Sequence, residues 1–221
     1  MAKRKIVFGT YDTDLHGLWT LTGWEFSPAE QVTNFVEVPG RKKGPLDLST
    51  ALTDGEPVYG SRTLTVTLES SEGTRLEREA RINTMANWLD GWRLDITLPD
   101  DDAHYITGRI HIAKEYNDPA HCAVTVTAIC EPWRYNSAET VATFTATEET
   151  QTGTLENSGR LSVVPLLVVS GGDVLLTYGE YSWALGEGSY ALPDLRLQQG
   201  TLSFTYSGTA TITFTYMEAV L

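Results

Sequence analysis

Positive charge is scarce in this chain. Its 221 residues hold 16 Lys and Arg against 29 Asp and Glu, a formal net charge of −13. Fourteen basic residues face twenty acidic ones through Tyr135, then two face nine, with no lysine in the later part. Affinity for phosphate backbones comes largely from Lys and Arg, so sequence-reading of nucleic acid is excluded. Cysteine is almost absent: Cys122 and Cys130 stand alone in HCAVTVTAIC. Their even spacing puts them on one face of one strand about 26 Å apart, far beyond disulfide reach. They read as small buried apolar residues in a reducing compartment. No run approaches eighteen apolar residues, so no membrane-spanning helix and no membrane insertion are expected. The opening MAKRKIVF has neither a long apolar segment nor a small-residue cleavage site, so no secretory signal is expected.

Catalytic signatures are missing too. There is no G-x-S-x-G, no phosphate-cradling glycine loop and no zinc-protease motif. The four histidines, His16, His104, His111 and His121, are scattered. His104 beside Asp100, Asp101 and Asp102 comes nearest to a metal-ligand set. An Asp-rich turn is ordinarily a solvated one, however, and no calcium loop with its closing Glu is present. Carboxylates abound, yet the sequence places no two across a glycosidic bond. The expectation is a protein that is not an enzyme and uses no metal or cofactor.

What is present is chain enough for one or two domains with a real core. Apolar residues make up 41% and charged residues 20%, ordinary for a globular protein. The stretch from Phe35 to Leu68 stands out. Phe35, Val36 and Val38 alternate as in a strand, and Pro39-Gly40 breaks it. Arg41, Lys42 and Lys43 follow, then Gly44-Pro45. An apolar-periodic run of Leu46, Leu48, Ala51 and Leu52 ends at Asp54-Gly55. Leu64, Val66 and Leu68 share a face of the returning strand. Strand, basic turn, excursion and return describe an arm over about 35–62 that projects from a sheet. An arm of this kind suggests a partner surface. The basic run reads either as a solvated turn or as a contact for an acidic patch on a neighbour.

Around the arm, residues 6–26 read as a short strand pair. A single helix is expected over about 72–91, with Leu76, Ala80, Met85, Trp88, Leu89 and Trp92 on its apolar face. Ser70, Ser71 or Thr74 would cap it, Glu72 suits its dipole and Gly91 stops it. Helical spacing assigns Trp88 and Trp92 to core packing rather than ligand stacking. Strands at Leu94–Leu98, Tyr105–Ala113 and Cys122–Cys130 follow, with turns at Pro99–Asp102 and Asn117–Pro119. This is an antiparallel meander backed by a helix, an α+β layout. Pro132 stops the third strand.

Residues 136–221 change character. They hold fourteen threonines, many alternating with apolar residues, and no helical period. Strands are expected at Val141–Thr147, Leu161–Val169, Val174–Tyr178, Tyr181–Leu185, Leu202–Tyr206 and Thr209–Tyr216. The turn signals between them are Gly-rich, as in Gly171-Gly172-Asp173, and the set indicates a β-sandwich. Two domains result, 1–135 and 136–221. The fold class is mainly β: an N-terminal antiparallel, barrel-like sheet domain with one helix and a projecting arm, then the sandwich. Tyr178, Tyr181, Trp183 and Tyr190 read either as sandwich core or as a sugar platform, of which Tyr181 and Trp183 are the candidate sugar-binding residues.

The arm VEVPGRKKGPLDLSTAL, the strand RTLTVTL, the stretch MANWLDGWRLDITLPDDDAHYITGRI and the junction CEPWRY together resemble the distal tail protein (Dit) of long-tailed bacteriophages. The resemblance covers roughly residues 30–135. ENSGRLSVVPLLVVSG and GTATITFTYME are similar, more loosely, to that family's galectin-like sandwich, whereas the last four residues lack the basic or aromatic close found there. The resemblance implies a hexameric ring at the distal end of the tail tube, in a phage or prophage, formed by the N-terminal domain. Such a ring joins the tube to the tail tip or baseplate, and DNA passes through without specific binding. It implies as partners the tail tube protein, the tape measure, and tail-associated lysin or receptor-binding proteins. It places the protein in the virion tail tip after assembly in the bacterial cytoplasm. Val38, Pro39, Arg41, Lys42, Lys43, Leu46 and Leu48 become candidate interface residues. A carbohydrate-binding module of a host-recognition apparatus is the alternative.

Overall fold

The structure is a computed structural model that describes residues 5–221 apart from Asp54 and Asp100. Those two positions of the expected turns therefore lie outside the described residues. The chain is mainly β and divides into two compact units, Met1–Pro132 and Trp133–Leu221.

The first unit contains β1 (Val7–Phe8), β2 (Tyr11–Asp12), α1 (Thr13–Gly17), β3 (Thr20–Phe26), β4 (Phe35–Val36), β5 (Leu46–Asp47) and β6 (Arg62–Ser70). It continues with α2 (Arg75–Leu89), β7 (Arg93–Thr97), β8 (His104–Asn117) and β9 (Cys122–Cys130). Seven of its strands pair antiparallel in the order β2-β1-β7-β8-β9-β6-β3. Alternation sets the inner face: Leu64, Val66 and Leu68 of β6 and Val124, Val126 and Ala128 of β9 are fully buried. Ile82, Met85 and Leu89 of α2 close over them in the same cluster. Each buried Val, Leu, Ile or Met side chain among them contributes about 1.5–3 kcal/mol by leaving water.

Three expectations change here. The helix is shorter than 72–91. Thr74 accepts from the Glu77 amide while Glu77 reaches back to the Thr74 amide, a reciprocal cap that fixes the start at Arg75. A second helix, α1, starts at the Asp12 cap, whose carboxylate accepts from the amides of Asp14 and Leu15. Leu76, Ala80, Trp88 and Trp92 are exposed. The buried stripe is Arg78, Ile82, Met85 and Leu89, at spacings of four, three and four. Arg78 hides that period in a hydropathy reading. Its guanidinium is buried because it donates to the carbonyls of Gly73, Asp118 and Pro119 at 2.6, 2.7 and 3.1 Å.

The second unit contains β10 (Arg134–Asn136), β11 (Thr140–Thr145), β12 (Gln151–Asn157), β13 (Leu166–Ser170), β14 (Val174–Tyr178) and β15 (Tyr181–Leu185). It ends with β16 (Gly188–Ala191), β17 (Gly200–Gly208), β18 (Thr211–Tyr216) and β19 (Ala219–Val220). Two four-stranded sheets, β11-β18-β13-β16 and β12-β17-β14-β15, contribute to one apolar cluster that includes Leu155, Leu167, Leu176, Phe204 and Phe214. They pack as a sandwich. β12 is absent from the sequence reading because QTGTLEN holds one large apolar residue. Its inward positions are instead Gly153, Leu155 and Asn157. A Cβ on Gly153 would stand 2.5 Å from the Phe204 ring, so the ring occupies its place. Asn157 is fully buried and donates to the carbonyls of Leu161 and Leu197. The strand expected from Leu161 starts only at Leu166, after Pro165.

Candidate functional site

Between β3 and β6 the chain leaves the sheet for residues 27–61 and returns. The excursion is built in three tiers. At its root, the Ser27 amide donates to Thr63 O, and the Thr63 amide donates to Ser27 Oγ at 2.8 Å. Arg62 lies over the Phe26 ring and donates from Nε to Ser27 O at 2.6 Å. Above this, Gln31 and Tyr59 form an antiparallel bridge, flanked by Val32 N to Val58 O and Gly60 N to Glu30 O. Higher still, β4 pairs with β5, matching Phe35 with Asp47 and Val36 with Leu46. A hairpin therefore occupies the stretch over which an arm was expected, about 35–62. Its first strand returns on Leu46–Asp47 rather than on the Arg62 strand, and the arm begins eight residues earlier than Phe35.

The tip is a turn in which the Arg41 amide donates to Val38 O. Gly40 and Gly44 flank the three cations with φ of 83° and 77°, values that glycine adopts without steric cost. The far side is pinned by Ser49: its hydroxyl receives the Asn34 amide, and its own amide donates to Asp47 at 2.9 Å. Hydrogen bonds from the Ser49 side chain and amide hold the Asp47 carboxyl below its ordinary range. The arm is ordered by its own backbone bonds.

Its surface is nonetheless apolar. Val32, Phe35, Val36, Val38, Leu46, Leu52 and Val58 are all exposed, Phe35 at 57% and Leu52 at 99%. Of the expected interface residues, Val38, Pro39, Arg41, Lys42, Lys43 and Leu46 lie on this exposed hairpin, and Leu48 is half-buried within it. Val32 lies before the expected arm, and Val58, between Pro57 and Tyr59, belongs to no alternating run, so neither entered the sequence reading. A bridge across the arm is a long-range pairing that periodicity does not report.

Other candidates are less concentrated. Tyr181 and Trp183 stack nearly parallel, with ring centres 5.7 Å apart. Trp183 packs against the sandwich core and Tyr181 is 48% exposed, so the pair continues the core to its rim. Tyr178 and Tyr190 also pack on that core. His104 meets Asp101 at 2.8 Å, and no group of three or more metal-ligating side chains occurs among the described residues. A cleft of about 780 Å³ on the first unit is lined by Arg93, Arg109, His111, Ile129 and Glu131. Its polar groups already have partners: Arg93 pairs with Glu131, Arg109 donates to the Gly91 carbonyl, and the His111 ring lies 3.1 Å from Asp90. Cys122 and Cys130 are buried and free; burial pushes the Cys130 thiol up to about 11, which leaves it inert as a nucleophile.

No protein-family model matches the chain, and no curated protein matches it. Among solved structures it is similar to the Dit (gp 19.1) protein of SPP1, described as a paradigm of the hub adsorption apparatus in phages infecting Gram-positive bacteria. The likeness covers 96% of this chain and 98% of that one, with a TM-score of 0.65 and 15% sequence identity. This chain has the Dit fold across both units.

Proposed function

We propose that this chain is the subunit of a phage tail hub, a ring at the distal end of the tail tube that joins the tube to the adsorption apparatus. The observation that carries the reading is the arm. Thirty-five residues are held off the sheet by their own hydrogen bonds while seven large apolar side chains face outward. An ordered apolar surface of that kind marks a site that a partner covers. An arm reaching a second copy makes a head-to-tail contact, which forms a ring when the rotation between copies closes. The shared fold with a hub adsorption protein supports the same reading. In it, six copies enclose a channel for DNA, and the chain's acidity keeps phosphate from binding in transit. The partners are then the tail tube, tape-measure and tail-tip proteins, and the location is the virion tail tip, reached after assembly in the host cytoplasm.

Multi-angle light scattering tests it. The expected result is a hexamer whose subunit contacts each bury more than about 1,000 Å². A monomer at every concentration, with the arm intact, would overturn the ring.

A second reading rests on the exposed Tyr181 of the Tyr181–Trp183 stack, a sugar platform for host recognition. It requires glycan binding by residues 133–221 of the full chain that Trp183→Ala abolishes. Silence of the full chain on a glycan array disposes of it.

A further inference from the structure

A further surface of the second unit is the outward face of the β12-β17-β14-β15 sheet. Alternation turns Leu155, Phe204, Tyr206 and Leu176 into the core and leaves their sequence neighbours facing out. Register then sets Thr152, Thr205, Thr177 and Ser182 opposite one another, a single row of hydroxyls across all four strands. Thr154 and Ser203 pair in the row beside it. Hydroxyls in such an array repeat about 4.8 Å across the strands and about 6.8 Å along them. Thr177 and Ser182 bond each other at 3.1 Å, whereas the side chains of Thr152, Thr205 and Ser203 have no hydrogen-bond partner among the described residues. The one charge among the outward residues of these strands is Glu156, at the far end of β12.

On its other side the hydroxyl row runs into a cleft of about 580 Å³. The floor is one further row, Ser207, Leu175 and Ala184, with Leu175 48% exposed. Glu148 and Asp173 line it from the loops at its end, and their exposed carboxylates have no partner among the described residues. Glycine closes that end. Gly208 has φ of 140°, and a Cβ there would stand 2.2 Å from Asp173 O, so only glycine lets the turn before β14 lie down on β17. The Thr209 amide donates to Asp173 O at 3.0 Å and holds the turn in place. A cleft of this volume, with an apolar floor and a few polar groups around it, has the make-up of a small-ligand site.

Resting on the second reading, that this unit recognises a sugar, we propose that this face and its cleft, rather than the Tyr181–Trp183 stack, bind a saccharide that carries no acidic group. Sugar hydroxyls donate and accept at once, and so do the threonine and serine hydroxyls they meet. The unpaired carboxylates of Glu148 and Asp173 accept from sugar hydroxyls, which makes the stronger, charge-assisted kind of bond. Leu175 and Ala184 take the C–H face of a ring out of water. Charge excludes other ligands. From residue 136 on, two basic residues stand against nine acidic ones, so a ligand bearing phosphate, sulfate or carboxylate is repelled.

An array of immobilised glycans tests this with the full chain, fluorescently labelled. It holds neutral hexose and N-acetylhexosamine oligosaccharides beside sialylated and uronate-bearing ones. The expected result is retention on at least one neutral oligosaccharide and on none of the acidic ones. Two variants then probe the face against the oligosaccharide retained. Leu175→Arg fills the cleft floor, and Thr177→Val with Thr205→Val keeps the shape and deletes the hydroxyls. Each is expected to weaken binding about tenfold with the thermal melt unchanged. Tyr181→Ala, which removes the exposed ring of the stack, is expected to leave binding unaltered. Loss on Tyr181→Ala alone overturns this site and leaves the second reading standing. Preference for acidic glycans, or binding that none of the variants moves, overturns the site as well. Silence across the array overturns both, and no outcome bears on the ring.

Discussion

The guanidinium of Arg62 lies 3.6 Å from the centre of the Phe26 ring and spans the two strands from which the arm springs. It also donates to Ser27 O, and from Nη1 to Pro132 O at 3.4 Å. The root of the arm is thereby tied to the sheet at its last ordered row. Arg62→Met keeps the apolar stem and removes the donors and the cation. It is expected to cost about 2 kcal/mol in chemical denaturation. Association should fall by more than that stability loss explains, because the arm's direction is freed. Sedimentation velocity under conditions where the variant remains folded separates the two effects. An unchanged oligomer would mean that the arm is not the contact.

Reversing Arg41, Lys42 and Lys43 to Glu tests the tip itself. All three are exposed and outside both cores, so folding stability should move by less than about 0.5 kcal/mol. Association should weaken at least tenfold, and association of the unaltered chain should weaken as salt rises, since a contact between exposed charges is screened. If both the oligomer and its salt response are unaffected, the run is a solvated turn and the apolar residues alone make the contact.

Gly108 and Cys130 face each other across β8 and β9 with no room for a side chain between them. A Cβ on Gly108 would stand 2.6 Å from Cys130 Sγ and 3.2 Å from Ile129 O. Gly108→Ala should therefore destabilise by about 1–3 kcal/mol through overpacking. Combining it with Cys130→Ala should recover part of that loss, a coupling read from the double-mutant cycle in urea. Additive costs would place the strain on the Ile129 carbonyl instead. Native Cys130 should also resist alkylation near neutral pH until the unit opens, since burial raises its pKa to about 11.

Much of this fold is visible in the chain because alternation and turn chemistry report local choices. Leu64, Val66 and Leu68 announce one face of β6, and Val174–Tyr178 and Tyr181–Leu185 are strands as expected. What escapes reading is whatever satisfies a polar group at long range. Arg78 reads as a surface residue until the carbonyls of Asp118 and Pro119, forty residues on, receive it. Asn157 reads as a turn until Leu197 O accepts its amide. For the arm, the breakers Pro39-Gly40 and Gly44-Pro45 flag the hairpin. Its true root at Ser27 depends on Arg62, which no local pattern connects to it. Trp88 reads as core because of its helical spacing, yet it is half exposed, and Leu15 and Leu18 fall within 6–26, a stretch read as a strand pair where the chain forms α1.

Asp12 gives α1 a titratable anchor. Burial alone would push its carboxyl up, but the Lys5 ammonium and the amides of Asp14 and Leu15 outweigh that and hold it below the usual carboxylate range. A carboxyl whose pKa is lower folded than unfolded adds stability above its unfolded pKa, near about 3.9, and loses it as pH falls through the folded value. Asp12→Asn keeps a capping oxygen and deletes the charge. At neutral pH the variant should melt about 2–4 °C lower than the unaltered chain, a gap kept small because Lys5 is half exposed. The gap should stay constant down to about pH 5 and close below about pH 4. Thermal melts followed by circular dichroism across that range measure it. A gap that persists undiminished in acid would assign the loss to the altered cap rather than to the Lys5–Asp12 pair.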